Sequence, residues 1–365
     1  MDNRGLIFIP DISGFTRFVN EVEIEHSRHI IQELLEVIIN ANQIGLEISE
    51  IEGDAILFYK YGDKPELEDL YKQVEKMFCA FHKYLVVYDH RRLCQCKACA
   101  GTKDLTLKVI THYGEFTGYN VKNFSKLIGK DIIVAHQLLK NDIDQHEYWL
   151  VTDNLAEKRK TAKLPDNLDW NKSSKRTETG TIPFEYAQLS YLKNQLEPDP
   201  PLNLEIKNKT KVISLYQEFN VDMLTLLHKV VDFNTRKLWN SYIKDIDNVS
   251  TTLPQLGTSH RCILEKGSSI MYTSSYSYIP ADTYTPEKIE YSETDEKKTN
   301  AVYFTFNKLG ENKTALRSDF YLKYSPVTLL LFKIFMKKKM EKTFRKSMQN
   351  LEKMLAKTPE LAETW

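Results

Sequence analysis

The sequence has few of the residues that mark several protein classes. Its 365 residues include 5 cysteines, 13 glycines and 12 prolines, which excludes a disulfide scaffold, a collagen-like repeat and a low-complexity chain. It has no run of the roughly 18 uncharged apolar residues needed to cross a membrane, and its N-terminal apolar run is too short for a signal peptide. The 50 basic residues balance the 50 acidic ones, which excludes a polycationic coat for nucleic acid. We therefore expect a cytoplasmic protein with reduced thiols.

The length and composition predict two globular domains. At about 150 residues per domain, the chain is too long for one, and its 20 Tyr and 17 Phe can fill sizeable cores. The segment from Leu196 to Lys211 holds three prolines within four positions, which neither a helix nor a central strand tolerates. We therefore place a first domain at residues 1–160, a linker or extension at 161–210, and a second domain at 211–365.

Hydrophobic periodicity in the first half predicts an α+β sandwich. Apolar residues recur at helical spacing in segments 25–44, 68–87 and 130–139. Strand-like runs occupy residues 5–10, 46–52, 55–59, 105–113 and 148–152. This order of strand, helix, hairpin, helix, strand, helix and strand is close to the ferredoxin-like pattern around a mainly antiparallel sheet.

The second half is expected to form a curled antiparallel sheet with a long closing helix. An apolar–polar run from Val221 to Phe233 comes before the strand-like segments 260–264, 270–278, 301–307 and 314–324. The last helix is predicted to begin at Pro326 with Ser325 as its N-cap, because a serine cap followed by proline is typical of helix starts.

Two aspartates stand where side chains can converge on a ligand. Asp11 follows the first predicted strand, and Asp54 lies in the tight turn of a predicted hairpin. Two carboxylates on adjacent strands suit Mg²⁺, which prefers hard oxygen ligands and shares its shell with substrate phosphates. The backbone N–H groups that follow Ser13 would face an anion as the chain enters a helix. The alternative is that Asp11 is only a helix cap and Asp54 only a turn residue.

Four separated motifs resemble those of the class III nucleotide cyclases. Asp11-Ile-Ser-Gly-Phe-Thr is followed about 40 residues later by Glu52-Gly-Asp-Ala. Leu107-Lys-Val-Ile-Thr-His-Tyr-Gly-Glu-Phe is similar to a later strand of that family, and Ile128-Gly-Lys-Asp-Ile-Ile-Val-Ala to the helix after it. The resemblance covers residues 5–155 in the family's order, and it implies a cyclase-type sandwich.

The resemblance implies a metal-dependent site for a nucleoside triphosphate. In the family, the ribose 3′-hydroxyl attacks the α-phosphorus and pyrophosphate leaves, with two Mg²⁺ or Mn²⁺ ions at the reacting groups. By position, the metal ligands would be Asp11, Asp54 and the Ile12 carbonyl, and the phosphate turn would be Gly14, Phe15 and Thr16. The family's sites form between two subunits, so the resemblance also implies a homodimer.

Four positions determine which nucleotide base the resemblance predicts and how fast the reaction is expected to be. Glu50 falls at the base-reading position, where glutamate accompanies guanine, so GTP is favoured over ATP. The second base position holds Lys126, which matches neither the adenine nor the guanine pattern. Ile133 and Gln137 occupy the positions of the transition-state Asn and Arg. Loss of one such donor costs about 3 kcal/mol, or two orders of magnitude in rate.

These departures leave three functions open. The first is a divergent nucleotide cyclase regulated by a hydrophobic ligand. The second is a sensor that binds metal and nucleotide without turnover. The third is a lipid-binding protein whose first domain serves only for dimerisation.

Three thiols lie within six residues, at Cys94, Cys96 and Cys99. Thiolates suit Zn²⁺, and a closed structural site needs a fourth ligand. The candidates nearest in sequence are Cys79, His82 and His90. The alternatives are a surface group of reduced thiols and a redox switch. His26 and His29 are interpreted as surface residues.

From about residue 212 the chain resembles the START-like, polyketide-cyclase-type helix-grip fold. The resemblance depends on the segments Asp232–Trp239 and Leu256–Cys262 and on the long closing helix. It implies an apolar cavity for a lipid or another hydrophobic small molecule. The candidate lining residues, which could equally be ordinary core, are Tyr272, Tyr276, Tyr278, Tyr303, Phe304 and Phe306.

The start of the closing helix is apolar and then strongly basic. Leu329 to Lys346 carries seven Lys/Arg against one Glu, a composition that could lie on an anionic membrane surface. The alternative is a helix packed on its own sheet with its lysines in water.

Overall fold

The chain forms two compact units, residues 1–90 with 96–199 and residues 91–95 with 200–365. The computed structural model describes residues 3–21, 24–94, 96–157, 159, 162–177, 180–197, 204, 206–251, 255–265, 267–280, 286–323 and 325–356. The boundary prolines Pro198, Pro200 and Pro201 lie outside the described residues.

Unit 1 is an α+β unit, which confirms the predicted class. Its strands are β1 Arg4–Ser13, β2 Glu47–Glu52, β3 Ala55–Tyr61, β4 Thr106–Glu115, β5 Thr117–Val121, β6 Phe124–Ile128, β7 Tyr148–Thr152, β8 Trp170–Thr177 and β9 Gly180–Gln188. Its α-helices are α1 Phe15–Glu21, α2 Ile24–Asn40, α3 Leu67–Arg91, α4 Lys97–Gly101, α5 Lys130–Leu139 and α6 Asp153–Ala156. Seven strands form one sheet in the order β2-β3-β1-β4-β7-β9-β8, and β5 pairs with β6 in a separate hairpin.

Strand β1 is the centre of this sheet. It is buried from Gly5 to Ser13, which explains its near-continuous apolar sequence. It pairs antiparallel with β3 and β4, while the pairing of β4 with β7 is parallel. On one face, Ile7 and Ile9 share a core cluster with Leu138 of α5. The core therefore holds β1 in one register.

The structure has strands that the sequence did not predict. The segment 161–210, expected as a linker or extension, contains β8 and β9, which extend the main sheet beyond β7. Strand β8 is largely exposed and polar, and β5 is exposed throughout. Such strands lack the alternation of apolar and polar residues by which strands are predicted.

Two glycines allow α5 to approach β4 closely. A Cβ atom on Gly114 would lie 2.2 Å from the Asp131 Cγ, and one on Gly129 would lie 2.7 Å from the Glu115 carbonyl oxygen. Asp131 accepts a hydrogen bond from the Glu115 N–H at 2.6 Å and lies 3.0 Å from His112 Nε2. These contacts give His112 a structural role and explain why small residues are needed here.

Gly114→Ala is expected to destabilise unit 1 by about 1–3 kcal/mol, because the new methyl group overlaps the Asp131 side chain. Urea unfolding followed by circular dichroism measures the change. The matched control is Gly118→Ala, since the nearest atom to a Cβ there is 4.0 Å away. Equal stability of the two variants would contradict the packing argument.

His82 of α3 is a buried histidine rather than a metal ligand. Its side chain packs against Phe78 and Phe81, and its Nε2 lies 3.2 Å from the Thr106 hydroxyl. Burial lowers the pKa of His82 to about 4. The unfolded chain takes up this proton below pH 6.5 and the folded chain only below about pH 4, so stability falls as the pH drops through this window.

For His82→Gln we expect a smaller loss of stability between pH 7 and pH 5 than for the unmodified chain. The buried histidine should contribute about 2 kcal/mol to that loss, given its shifted pKa. Thermal unfolding at the two pH values measures it, with His29→Gln on α2 as a control. An unchanged pH dependence in His82→Gln would show that this ring does not titrate as argued.

Unit 2 is a seven-stranded antiparallel sheet with helices at both ends of its sequence. The strands are β10 Thr210–Phe219, β11 Asp245–Asp247, β12 Ser259–Ile263, β13 Ser268–Pro280, β14 Pro286–Asp295, β15 Asn300–Gly310 and β16 Lys313–Leu322, in the order β10-β16-β15-β14-β13-β12-β11. The helices are α7 Met223–Val231, α8 Phe233–Trp239, α9 Pro326–Leu331 and α10 Lys337–Ala356.

The helices of unit 2 differ in detail from the predicted ones. The run 221–233 is divided between α7 and α8, because Asp232 caps α8 by accepting a hydrogen bond from the Asn234 N–H at 2.9 Å. The Ser325 cap is confirmed, since its hydroxyl accepts from the Thr328 N–H at 3.3 Å. The closing helix contains a π turn at Phe332–Met336 between α9 and α10. None of the described helices could span a bilayer.

Strand β14 was not predicted, and its buried residues include polar ones beside the apolar Ile289 and Tyr291. Glu293 and Asp295 are buried. The Glu293 carboxylate pairs with the Arg236 guanidinium at 2.6 Å. A buried ion pair supplies the partners that such groups need, but it gives no hydrophobic signal in the sequence. The helix-grip arrangement itself stays a prediction.

Candidate functional site

Asp11 and Asp54 come together at the end of the central strand of unit 1. Asp11 pairs with Ala55 across β1 and β3, and the Ile12 N–H donates to the Asp54 carbonyl at 3.0 Å. The turn between β2 and β3 is made possible by Gly53, whose φ is +62°, a conformation that glycine adopts without strain. The backbone therefore brings the two aspartates next to each other.

The charge environment of this pair of aspartates depends on a lysine that is not among the predicted site residues. Lys108 lies opposite Asp11 in the β1–β4 pairing, with its Nζ 3.4 Å from Asp11 Oδ1. Burial raises the pKa of Asp11 to about 6, against the lowering effect of Lys108 and with a further rise from the Asp54 charge. Burial also raises the pKa of Asp54. The positive charge of Lys108 therefore does not fully offset the burial of Asp11 and its repulsion from Asp54.

This arrangement fits a divalent cation. Carboxylate oxygens are the ligands that Mg²⁺ and Mn²⁺ prefer, and a cation would relieve the repulsion that Asp54 imposes on Asp11. Lys108 supplies one positive charge from one side. The residues that would hold the ion are Asp11 and Asp54, with the Ile12 carbonyl beside them.

The turn after β1 opens onto a small basic pocket. The pocket has a volume of about 300 Å³ and is lined by Gly14, Arg17, Phe18, Lys97, Ala100, Gly101, Lys103, Asp104 and Leu105. Gly14 has a φ of +89°, which permits the sharp turn from β1 into α1. Of the predicted phosphate turn, Gly14 lines the pocket, whereas Phe15 and Thr16 do not.

The two predicted base-reading residues contact each other. Lys126 on β6 forms a hydrogen-bonded ion pair with Glu50 on β2, and this hydrogen bond raises the pKa of Lys126. The structure therefore brings the two positions together. Because Lys126 contacts only Oε2 of Glu50, a donor group of a ligand would bind the other carboxylate oxygen or displace the lysine.

The positions of the missing transition-state donors lie on α5. Ile133 is 57% exposed, although its neighbours Ile132 and Val134 on α5 are buried. Gln137 is half-buried, and its side-chain oxygen accepts no hydrogen bond from the described residues. Neither side chain is engaged in the core.

Two of the three clustered thiols contact a histidine that the sequence analysis had placed on the surface. Cys96 Sγ and Cys99 Sγ lie 3.3 and 3.4 Å from His26 Nδ1. The surface interpretation of His26 is therefore wrong. Cys94 Sγ lies 3.4 Å from His228 Nε2. Among the described residues, the group that could hold a metal does not include Cys79, His82 or His90.

Unit 2 contains a partly open cavity of about 600 Å³. Helices α8 to α10 line one side and strands of the sheet line the other, through residues such as Leu215, Val302, Phe304, Phe332 and Met348. Of the predicted lining residues, Phe304 is correct, whereas Tyr272, Tyr276, Tyr303 and Phe306 do not line the cavity. The Tyr278 side chain lies outside the described residues.

Comparison with known proteins finds matches to the first part of the chain. A family model described as "Protein of unknown function (DUF2652)" matches residues 31–148. An uncharacterized protein of Mycobacterium tuberculosis (strain ATCC 25618 / H37Rv) is 32% identical over 127 residues, which are 34% of this chain. The match spans 58% of that relative's own length.

Solved structures that resemble the chain are nucleotide cyclase domains at low identity. The catalytic core of a rhodopsin-guanylyl cyclase with converted specificity, in complex with ATPαS, gives a TM-score of 0.38 at 14% identity, over 51% of this chain and 95% of that one. The guanylate cyclase domain of RhGC from Catenaria anguillulae, in complex with GTP, gives 0.37 at 13% identity, over 51% and 96%. A bacterial light-regulated adenylyl cyclase gives 0.36 at 14% identity, over 53% and 95%.

Lys108→Met is expected to tighten Mn²⁺ binding by about tenfold or more, because it removes the cation that competes for Asp11. Two unit charges about 4 Å apart near a protein surface interact by about 4 kcal/mol. A tenfold change in affinity requires only a small part of that interaction energy. Electron paramagnetic resonance of free Mn²⁺ measures the affinity. The control is Lys76→Met, exposed on α3. Weaker binding in Lys108→Met would show that the lysine assists the site.

Proposed function

We propose that unit 1 is a divergent class III-type nucleotide cyclase domain that binds a nucleoside triphosphate with Mg²⁺ or Mn²⁺. The observation that carries the proposal is the convergence of Asp11 and Asp54, held by the Ile12–Asp54 backbone hydrogen bond. The motifs that resemble the family support the same interpretation. The product would be a cyclic nucleotide and pyrophosphate.

In this proposal, different residues bind the metal and the phosphate. Asp11 and Asp54 would hold the metal, which lowers the pKa of the attacking hydroxyl and neutralises phosphate charge. Gly14 leaves room for phosphate at the basic pocket, where Arg17, Lys97 and Lys103 supply positive charge. Arg17 also lies 3.7 Å from Asp104, so this ion pair must rearrange when an anion binds.

The α5 residues make this a slow enzyme. Ile133 cannot donate a hydrogen bond, and Gln137 carries no charge to stabilise the α-phosphate in the transition state. Loss of each donor costs about two to three orders of magnitude in rate. GTP is the favoured substrate, because Glu50 can accept hydrogen bonds from the guanine edge.

A homodimer is part of the proposal. Apolar side chains are exposed on the part of unit 1 formed by β2, β5, β6 and α5, namely Ile48, Ile51, Tyr119, Val121, Ile128 and Ile133. Strands β2 and β6 are neighbours, so several of these side chains share one area. An exposed apolar patch of this kind is typical of a protein–protein interface, and a second copy of unit 1 is the proposed partner.

Purified protein is expected to form a cyclic nucleotide from GTP with Mn²⁺, and Asp54→Asn is expected to abolish the product. Asparagine keeps the size of the side chain but loses the charge that binds the metal. Mass spectrometry of reactions with ATP, GTP, CTP and UTP measures the product. The control variant is Asp63→Asn, at an exposed position after β3.

The double variant Ile133→Asn, Gln137→Arg tests the missing donors and should raise the rate by about two orders of magnitude. Nucleotide binding without product in either protein would favour the sensor function, and calorimetry measures that binding. Product formation that survives Asp54→Asn would refute the metal assignment.

A second function is favoured by the cavity of unit 2, which we propose binds a hydrophobic small molecule. Its volume of about 600 Å³ is within the usual range for ligand sites. The buried Arg236–Glu293 ion pair lies among the lining residues and adds charged groups to a mainly apolar space.

Peripheral membrane contact is part of this second proposal. Val327, Leu330, Ile334 and Phe335 of α9 and the π turn are 58–73% exposed. Phe332 and Met340 of the same stretch are buried, and Lys333, Lys338 and Lys339 face water. Exposed apolar residues beside lysines suit an anionic membrane surface.

Val302→Trp is expected to weaken binding of a fluorescent fatty acid at least tenfold, because the larger side chain fills the cavity. Fluorescence titration of the full chain measures the affinity. Val249→Trp is the control, since Val249 is exposed and does not line the cavity. Equal affinity in both variants, or no binding by the unmodified chain, would contradict a ligand in this cavity.

A further inference from the structure

We propose that His26, Cys96 and Cys99 of unit 1 bind one Zn²⁺ ion. The site is separate from the aspartate pair and does not depend on the proposed cyclase function. It brings together a histidine from the first turn of α2 and two thiols from the connection between α3 and β4. His26 and Cys96 are 70 residues apart in sequence.

The spacing of the ligand atoms matches a tetrahedral metal site. The ligand atoms of His26, Cys96 and Cys99 lie within 4.8 Å of one another, and the two His26–thiol distances are 3.3 and 3.4 Å. Zn–S bonds of about 2.3 Å and Zn–N bonds of about 2.0 Å at tetrahedral angles place nitrogen and sulfur about 3.5 Å apart. The three side chains therefore need little movement to bind an ion.

The surroundings of the thiols suit deprotonated ligands. The Tyr88 hydroxyl donates a hydrogen bond to Cys99 Sγ at 3.0 Å, and both residues are buried. Cys96 Sγ accepts from the Cys99 N–H at 3.4 Å. Such outer contacts orient ligands and stabilise thiolate charge in metal sites. These hydrogen bonds also indicate that the buried Cys99 does more than fill apolar space in the core.

The ion would stabilise one wall of the basic pocket. Cys96 caps α4 and Cys99 lies within it. This helix packs against α1 and α2, and its residues Lys97, Ala100 and Gly101 line the pocket beside Gly14. A short helix of five residues has little stability of its own. A metal that links α4 to α2 would hold these pocket residues in place.

The test is the zinc content of the full chain. After purification without chelator, or after addition of Zn²⁺ and gel filtration, mass spectrometry of the metals should find one zinc ion per chain. His26→Ala and Cys99→Ser should lose it. Matched controls are His29→Ala on the same helix and Cys79→Ser on α3, which should keep it.

Three further measurements test the proposal even where a variant does not fold. Competition of the unmodified chain with a chromophoric chelator gives the zinc affinity without any substitution. Co²⁺ in place of Zn²⁺ should give the visible absorption of tetrahedral thiolate coordination. Chelator should lower the melting temperature, and Zn²⁺ but not Mg²⁺ should restore it.

Three results would overturn the proposal. One is the absence of zinc from the chain after reconstitution, with no Co²⁺ spectrum. Another is full zinc content in a folded His26→Ala variant. The third is a disulfide between Cys96 and Cys99 in protein purified under nonreducing conditions, which would point to a redox pair instead. No nucleotide enters these measurements, so they do not depend on catalysis.

Discussion

The hydrogen bond from the Ile12 N–H to the Asp54 carbonyl ties the end of the central strand to the β2–β3 turn, and the aspartate site depends on this link. Strand β1 is buried along almost its whole length. A shift of one residue would turn its apolar side chains to the wrong faces of the sheet. The hydrophobic core thus holds two carboxylates together although they are far apart in sequence.

This arrangement is electrostatically unfavourable by itself. Burial and the charge of Asp54 raise the pKa of Asp11 although Lys108 lies 3.4 Å away. A domain that needed only packing would have no reason to place two carboxylates at the end of its central strand, since buried charge costs free energy. A cation bound by the two carboxylates, as proposed, would offset this electrostatic cost.

Helix α4 contributes residues both to the basic pocket and to the cluster of thiols. Helix α4 has Cys96 as its N-cap and contains Cys99, while Lys97 of the same helix lines the pocket beside Gly14. The segment is too short to be stable through its own backbone hydrogen bonds. Its position is therefore set by what it packs against, and any group that binds its thiols also positions its lysine.

The sequence by itself determined the features that depend on near neighbours. These are the α+β class, the first strand, which in the structure continues past Asp11 to Ser13, the turn at Asp54, the three thiols and the Ser325 cap. Only the tertiary structure decided that His26 meets Cys96 and Cys99, that Lys108 faces Asp11, and that Lys126 pairs with Glu50. It also decided that Phe304 lines the cavity while Tyr303 does not. The reason is that periodicity, caps and turns depend on interactions over a few residues, whereas a contact across strands depends on register and packing, which the whole core sets.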